Sequence, residues 1–440
     1  MEDRRDLERR KRFIEKRKRQ RRLKLYFNML LVLCAILIVV LAATIMTKDK
    51  GLEYSIASLS FFDNGENNTV ENKESNNIDE ESETVEETTV AETESIDNTV
   101  HTVSFVATGD NLISDSVTHC GLQSDGSYDF TLLYDNLSKI FKKADLAAIN
   151  QETILGGPDF PYTGFPNFNS PYEIGDSLID AGFDIVTSAT NHSYDMRMEG
   201  INNCINYWKK HPEVTMIGLN ETKEKYDDIA VIEKNGIKIA LLNYTYGLNG
   251  YSLPEDEWYK VNLIDEDKIK IDVEKAEEIA DFTIVFPHWG VEYSTATSAE
   301  QRSLAKKMTE WGADLIIGTH PHVLQPIEWI ETSNGNKSLC YYSLGNYTSS
   351  QDKTSTMVGG IAKLKIVKQG NDVHIKKGAG IIPIVTHYIW GSNRTTRTYK
   401  LTKYTEDLAR VHSIHSVTDD FSIANMQKVV DEVVGDWVLD

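Results

Sequence analysis

Across residues 102–350, short apolar runs alternate with stretches of helical period. Thr102-Val103-Ser104-Phe105-Val106-Ala107 alternates polar and apolar positions and stops at Thr108-Gly109-Asp110, a strand running into a loop. The layout recurs. Residues 145–149 end at Asn150-Gln151-Glu152, 183–187 near Asn191-His192, 282–286 at His288, and 314–317 at His320. Between them the periodicity predicts helices over 172–181, 196–209, 266–280 and 298–311. Short apolar strands alternating with helices predict an α/β fold with buried sheets. In such folds, sites gather where strand carboxyl ends meet loops. Past residue 320 the pattern changes to hairpins, turning at Asn334-Gly335 and Gly370-Asn371. The stretch 402–440 is acidic and predicted helical over 419–437.

Upstream the pattern is different. Residues 1–24 carry 13 Lys/Arg against 5 Asp/Glu, and residues 25–46 carry no charge at all. As a helix the uncharged run rises about 33 Å, enough for a hydrocarbon core of roughly 30 Å. The basic flank predicts a cytoplasmic N-terminus, with everything after Lys48 outside the cell. The length of the run, and the lack of a small-x-small cleavage site after it, favour a span over a signal peptide. From Phe62 to Val100 there are 13 acids and one base, Lys73. Such a segment buries too little apolar area to offset ordering entropy and is expected to be a disordered tether. The expected organisation is thus a basic cytoplasmic segment (1–24), a transmembrane helix (25–46), an acidic linker (47–100), a folded domain (101–395) and an acidic helical extension (396–440).

Acids outnumber bases 67 to 46, a formal charge of −21; with +8 in the head, the remaining residues carry −29. That balance argues against nucleic acid as a partner. Cys34 lies in the apolar run, leaving Cys120, Cys204 and Cys340 in spacings that match no zinc motif. These three are expected to be ordinary small core residues, with one bridge among them still open.

Five strand ends deliver Asp110, Glu152, Asn191 with His192, His288, and His320 with His322. Carboxylate, carboxamide oxygen and neutral imidazole are all competent ligands for a divalent metal. Singly, each has a structural explanation: a turn cap for Asp110, a hydrogen-bonded pair for Asn191-His192, core packing around His288-Trp289. Jointly they point to a shared metal or catalytic site. In an extended His320-Pro321-His322 segment both imidazoles would project the same way. Both then approach one centre, or one binds a metal while the other meets an anion. There is no P-loop, dinucleotide fingerprint, Ser-His-Asp set or activated cysteine.

The series Ala107-Thr108-Gly109-Asp110, Asn150-Gln151-Glu152, Thr190-Asn191-His192, His288-Trp289-Gly290-Val291-Glu292-Tyr293, Gly318-Thr319-His320-Pro321-His322 and Tyr342-Ser343-Leu344-Gly345-Asn346-Tyr347 resembles the CapA family of poly-γ-glutamate capsule biosynthesis proteins. The resemblance implies a metallophosphoesterase-like αββα sandwich of two β-sheets flanked by helices. It implies Asp110, Glu152, Asn191, His288, His320 and His322 as ligands of a divalent metal (Mn, Zn, Fe or Mg). His192, with Asn191, is the implied acid or phosphate contact, and Asn150, Trp289, Glu292 and Asn346 the implied substrate contacts. Where the wider superfamily opens with Asp-x-His, this chain has Asp110-Asn111-Leu112, which leaves open one metal or two. The implied role is capsule assembly at the cell membrane, beside a polymer synthase and an anionic polymer. A metal-dependent hydrolase, cleaving a phosphoester or amide-type bond, is the alternative.

Overall fold

The computed structural model describes residues 99–392 and 394–439. The span expected over 25–46 and the acidic linker up to residue 98 lie outside them. Among the described residues no helix is long and apolar enough to cross a membrane.

Two sheets share the chain unequally. The first stretch supplies β1 (Val100–Asn111), β2 (Leu146–Asn150), β3 (Ile185–Thr187) and β4 (Thr215–Ile217) to one sheet. The middle builds the second sheet from β5 (Ala230–Lys234), β6 (Ile237–Thr245), β7 (Phe282–His288), β8 (Leu315–Ile317), β9 (Ile327–Glu331) and β10 (Lys337–Tyr341). The chain then returns to the first sheet with β11 (Asn346–Thr348), β12 (Val358–Gln369), β13 (Asp372–Ile375), β14 (Gly380–Ile389) and β15 (Thr395–Lys400). The orders are β15-β14-β12-β1-β2-β3-β4, with β11 beside β1 and β13 beside β12, and β5-β6-β7-β8-β10-β9. Strands β1 to β4 are parallel to one another, as are β6, β7, β8 and β10.

Alternation along the strands sorts side chains into three apolar layers. Phe105, Ala107, Leu146 and Ala148 meet Ile239, Leu241, Ile284 and Ile317 between the sheets. Val106, Ala147 and Ile149 face outward, against α1 (Glu173–Ala181) and α2 (Arg197–Trp208). Ala240, Leu242, Val285 and Ile316 face the other way, against α3 (Glu266–Ile279) and α4 (Ala299–Trp311). The molecule is an α/β protein of two packed sheets with helices on both outer faces.

Helix ends follow local chemistry. Asp265 accepts from the Lys268 N–H at the start of α3. Ser298 and Gln301 form a reciprocal capping box at α4. The expected helix over 419–437 is shorter, α5 (Ile423–Val433), because Ser422 caps it through the Asn425 N–H. Asn334-Gly335 joins β9 to β10 and Gly370-Asn371 joins β12 to β13, both as antiparallel hairpins. A further hairpin, β5–β6, turns on Asn235-Gly236, both at positive φ. Cys120, Cys204 and Cys340 are free thiols.

Beyond β15, residues 401–439 lie against the first sheet. Leu401, Tyr404, Ile414, Phe421, Met426 and Val430 join the apolar layer that holds Phe105 and Ala107.

Candidate metal centre

The carboxyl ends of β1, β2 and β3 in one sheet and β7 and β8 in the other open at the same end of the sandwich. Crossing the gap requires close backbone approach. Gly109 permits it, since a Cβ there would lie 1.9 Å from the Gly345 carbonyl oxygen. The next residue, Asp110, donates its N–H to that carbonyl at 2.9 Å. Gly318 does the same beneath the 319–322 loop, where a Cβ would meet the Tyr342 carbonyl oxygen at 2.0 Å.

Asp110, Glu152, His288, His320 and His322 converge and are buried. Their ligand atoms fall into two groups, Asp110–Glu152–His322 and Glu152–His288–His320, each with all atoms within 4.8 Å of one another. Glu152 belongs to both. Its Oε1 lies 3.6 Å from His322 Nε2 and 3.9 Å from His288 Nε2, and neither carboxylate oxygen has a hydrogen-bond partner. His320 Nδ1 is likewise buried without a partner. Asp110 is better held: its oxygens accept from the Asn150 amide at 2.8 Å and the His320 N–H, and Oδ2 lies 3.3 Å from His322 Nδ1.

The electrostatics favour a cation. Burial pushes the Glu152 carboxyl well above its ordinary range; a His322 charge opposes this, and Asp110, Glu292 and Asp195 add to it. Burial also works against a proton on His322, yet Glu152 and Asp110 outweigh it and the imidazole is pushed up to about 10. On the other side, burial and the neighbouring imidazoles push His288 well below its ordinary value and His320 down to about 3. Two neutral imidazoles therefore sit beside two crowded carboxylates that draw positive charge. Buried, unpartnered carboxylate oxygens are costly, and a divalent metal satisfies them with the donor types present. The residues fit the group.

His320 and His322 reach the site by a route other than the extended segment expected. Their φ angles are 98° and 61°. The chain turns in left-handed backbone on either side of Pro321, and this strained turn brings both rings round. The ring centroids are 6.0 Å apart.

Asn191 Oδ1 lies 2.7 Å from His288 Nε2, and its amide donates to Asn249 Oδ1 at 3.1 Å. His192 stands beside the donors with Nδ1 2.7 Å from Asp195 Oδ2, its ring edge-on to Phe168. Of the expected substrate contacts, only Glu292 is exposed, at the rim. Asn150 is buried and committed, donating to Asp110 and accepting from Thr187 Oγ1 at 2.8 Å. Asn346 is buried behind His322, its Oδ1 3.0 Å from Nδ1. Trp289 is turned away: its Nε1–H donates to the Tyr342 carbonyl at 2.9 Å and its ring packs in the layer behind the second sheet. The residue after a strand-end ligand faces the opposite side of the sheet, which is why Trp289 goes to the core when His288 goes to the site.

Several residues at the site were not read from the sequence. Asp195 follows His192 by three positions, a turn-like spacing that was legible. Thr319 Oγ1, 2.9 Å from His288 Nδ1, orients that ring. Asn249, at φ 52°, and Tyr246, whose ring lies 4.5 Å from that of His320, arrive on a loop without periodic signal.

Similarity to known proteins covers the same region. The bacterial capsule synthesis protein PGA_cap family matches residues 104–351. The chain is 32% identical over 205 residues to the PGA biosynthesis protein CapA of Bacillus subtilis (strain 168), covering 44% of this chain and 50% of that protein. It is 28% identical over 198 residues to the capsule biosynthesis protein CapA of Bacillus anthracis, covering 44% and 47%. The matched region thus spans about half the length of these curated relatives. Solved structures similar to it include the NAD nucleotidase NadN of Haemophilus influenzae, at TM-score 0.43 and 14% identity, covering 76% of this chain and 67% of that one. A 5′-nucleotidase precursor from Thermus thermophilus gives 0.40 and 12%, covering 75% and 58%. Every donor from Asp110 to His322 lies within a family match that takes in more than half of the chain, and the protein is a member of the bacterial capsule synthesis family PGA_cap.

Proposed function

We propose that this chain works in the assembly, export or anchoring of an anionic capsule polymer, through a divalent metal held at the strand-end site. The observation that carries the reading is Glu152, a buried carboxylate shared by two donor groups, with neither oxygen partnered. Asp110, Glu152, His288, His320 and His322 would hold the metal. The basic head, the uncharged run over 25–46 and the acidic linker support a single-pass anchor with the folded part outside the cell and a polymer synthase as neighbour.

The His192–Asp195 pair favours a second reading of the same centre, metal-dependent hydrolysis of a phosphoester or amide-type bond. A bound divalent metal lowers the pKa of its water and neutralises charge on substrate oxygens. Asp195 fixes His192 through Nδ1 and is itself held by the Phe168 N–H at 2.7 Å. That leaves Nε2 as the ring nitrogen able to pass a proton to a leaving group. Asn191 bridges His288 and Asn249, tying the ligand side of the site to the loop that also meets His192.

Metal content per full-length chain in detergent tests the first reading. Wild type is expected to bind metal stoichiometrically, whereas Glu152→Gln and His288→Ala lose most of it with unchanged far-ultraviolet spectra. Equal metal in all three overturns it. Asp195→Asn, assayed on a phosphodiester and a γ-glutamyl oligomer, is expected to keep the metal and lose turnover. Metal without turnover in wild type leaves the holding role and removes the hydrolytic one.

A further inference from the structure

The protein is acidic in sum, yet among the described residues one face gathers seven lysines. On the outer face of the first sheet lies a groove of about 400 Å³. Pairing of β1 with β12 sets Lys363 opposite Val106 and Lys365 opposite Ser104, so both lysines share that face. Lys139 and Lys143 flank it from the helical turn at Ser138–Phe141 and the residues after it. Lys376 and Lys377 come from the β13–β14 connection, and Lys400 from the end of β15. Six of these are exposed and Lys400 is half-buried. No carboxylate lines the groove. Among the described residues none of these lysines takes part in an ion pair, unlike Lys368, which reaches Asp281 at 2.7 Å. Asp145, next to Ala144 of the lining, has its carboxylate taken up by the N–H and hydroxyl of Ser104, and Asp436 lies in the adjoining depression beside Lys376 and Lys377.

Two properties restrict what fits. The floor is apolar, made by Val106, Ile140 and Ile382, so a ligand needs methylene groups as well as charge. All the cations are lysines, compact and mobile charges without the fixed fork of a guanidinium. They suit a flexible chain that shifts its register better than a rigid phosphate lattice. The acidic remainder of the molecule repels an extended polyanionic duplex or a flat anionic membrane but tolerates a single narrow strand in the groove.

We propose that this groove binds an extended acidic polypeptide, its carboxylates on the lysines and its methylenes on the apolar floor. The assignment deepens the capsule-polymer reading and rests on it for the natural ligand. Val106 lies four residues before Asp110 on the same strand, about 13 Å at the rise of a strand. The groove is therefore a second contact, separate from the metal donors and within one polymer's reach of them.

Binding of fluorescein-labelled oligo-glutamate, α-linked and γ-linked, to the full-length protein in detergent tests this by anisotropy. Wild type is expected to bind with a steep loss on raising salt, as exposed charges are screened within about 8 Å at physiological ionic strength. Lys363→Glu/Lys365→Glu is expected to weaken binding by about tenfold or more. The milder Lys363→Gln/Lys365→Gln falls between, and metal content is unchanged in both. His288→Ala is expected to lose metal and keep this binding, so failure of the groove and failure of the metal centre read out separately. Wild-type affinity in the charge-reversed variant overturns the proposal. Equally tight binding of oligothymidylate or of phosphatidylglycerol vesicles would assign the face to general anionic contact instead.

Discussion

Asn346 shows how far the centre depends on side chains that stand behind its metal donors. Its Oδ1 meets His322 Nδ1, while its amide is placed among the His322 carbonyl, Ser349 Oγ, Gln351 Oε1 and the Thr356 carbonyl. One side chain thereby fixes both the ring and the left-handed backbone of His322. Removing such support typically lowers metal affinity about 10–100-fold. Asn346→Ala is expected to do so in chelator competition, and Asn346→Asp, which keeps the acceptor, to lose less. Equal losses in the two variants would mean that Asn346 serves packing alone. The sequence marks Asn346 as special but not for which purpose. An asparagine at a strand end reads the same whether it faces a substrate or backs a ligand, and only the partners of its amide separate the two. Asn150, held between Asp110 and Thr187, likewise needs the groups across the sheet to be read, whereas Trp289 faces the core by the alternation that turns His288 to the site.

At the scale of elements, one device recurs in both sheets. Asp145, Asp184, Asp281 and Asp314 each stand just before a parallel strand and accept the backbone N–H of the neighbouring strand, at Ser104, Ala147, Lys238 and Thr283 respectively, all at 2.8 Å. The strands enter in register because a carboxylate takes up an N–H that the ladder leaves over. The same geometry gives different electrostatics. Asp145 is lowered despite its partial burial, because Ser104 donates through both its N–H and its hydroxyl. Asp314 is pushed up to about 8 by burial, with the Thr283 N–H opposing and Glu277 adding. Its folded value lies above the unfolded one, so its contribution to stability is full below about pH 4 and is lost as pH rises through about 8. Asp314→Asn is expected to remove that slope, gaining on wild type in urea midpoint between pH 5 and 8. Parallel pH profiles would contradict it. The strands themselves were legible, because buried parallel strands are short apolar runs. The β5–β6 hairpin was not read, although Asn235-Gly236 carries its turn, because β6 is almost wholly buried and shows no alternation.

For the molecule as a whole, the part after β15 is bound to the sandwich by a polar knot within apolar packing. His412 accepts the Ile414 N–H on Nδ1 at 2.9 Å, while its Nε2 lies 3.1 Å from the Thr386 carbonyl and 3.3 Å from the Tyr388 N–H, so a second ring proton on Nδ1 would cost the Ile414 bond. His387 Nδ1 lies 2.7 Å from the Tyr404 hydroxyl. Burial holds His412 down to about 3, with His387 adding, and holds His387 down to about 4, with Arg397 adding. Both folded values lie below the ordinary 6.5, so their contribution is full above about pH 6.5 and is lost as pH falls through about 4 and then about 3. The melting temperature is expected to decline below pH 6.5, and less steeply in His412→Gln, which keeps a donor and an acceptor. Identical slopes would remove His412 as the cause. An acidic helix was legible here; its attachment was not, since the residues that receive it lie on distant strands.

The division of the chain between the sheets also sets the order in which the molecule can come together. Strand β1 meets β2 early, but its other long partner, β12, is far away: 252 residues separate Thr108 from the Gly360 carbonyl that its hydroxyl meets. Contacts of such separation carry a large loop-closure cost and slow folding. The whole second sheet has to be formed, or held aside, before the first can close on itself. Asn346 and the Gly345 carbonyl that anchors Asp110 arrive with that late return. A metal at this site would gain the support of Asn346 and the Gly345 carbonyl only once that return is complete, so its affinity is expected to rise as the first sheet closes.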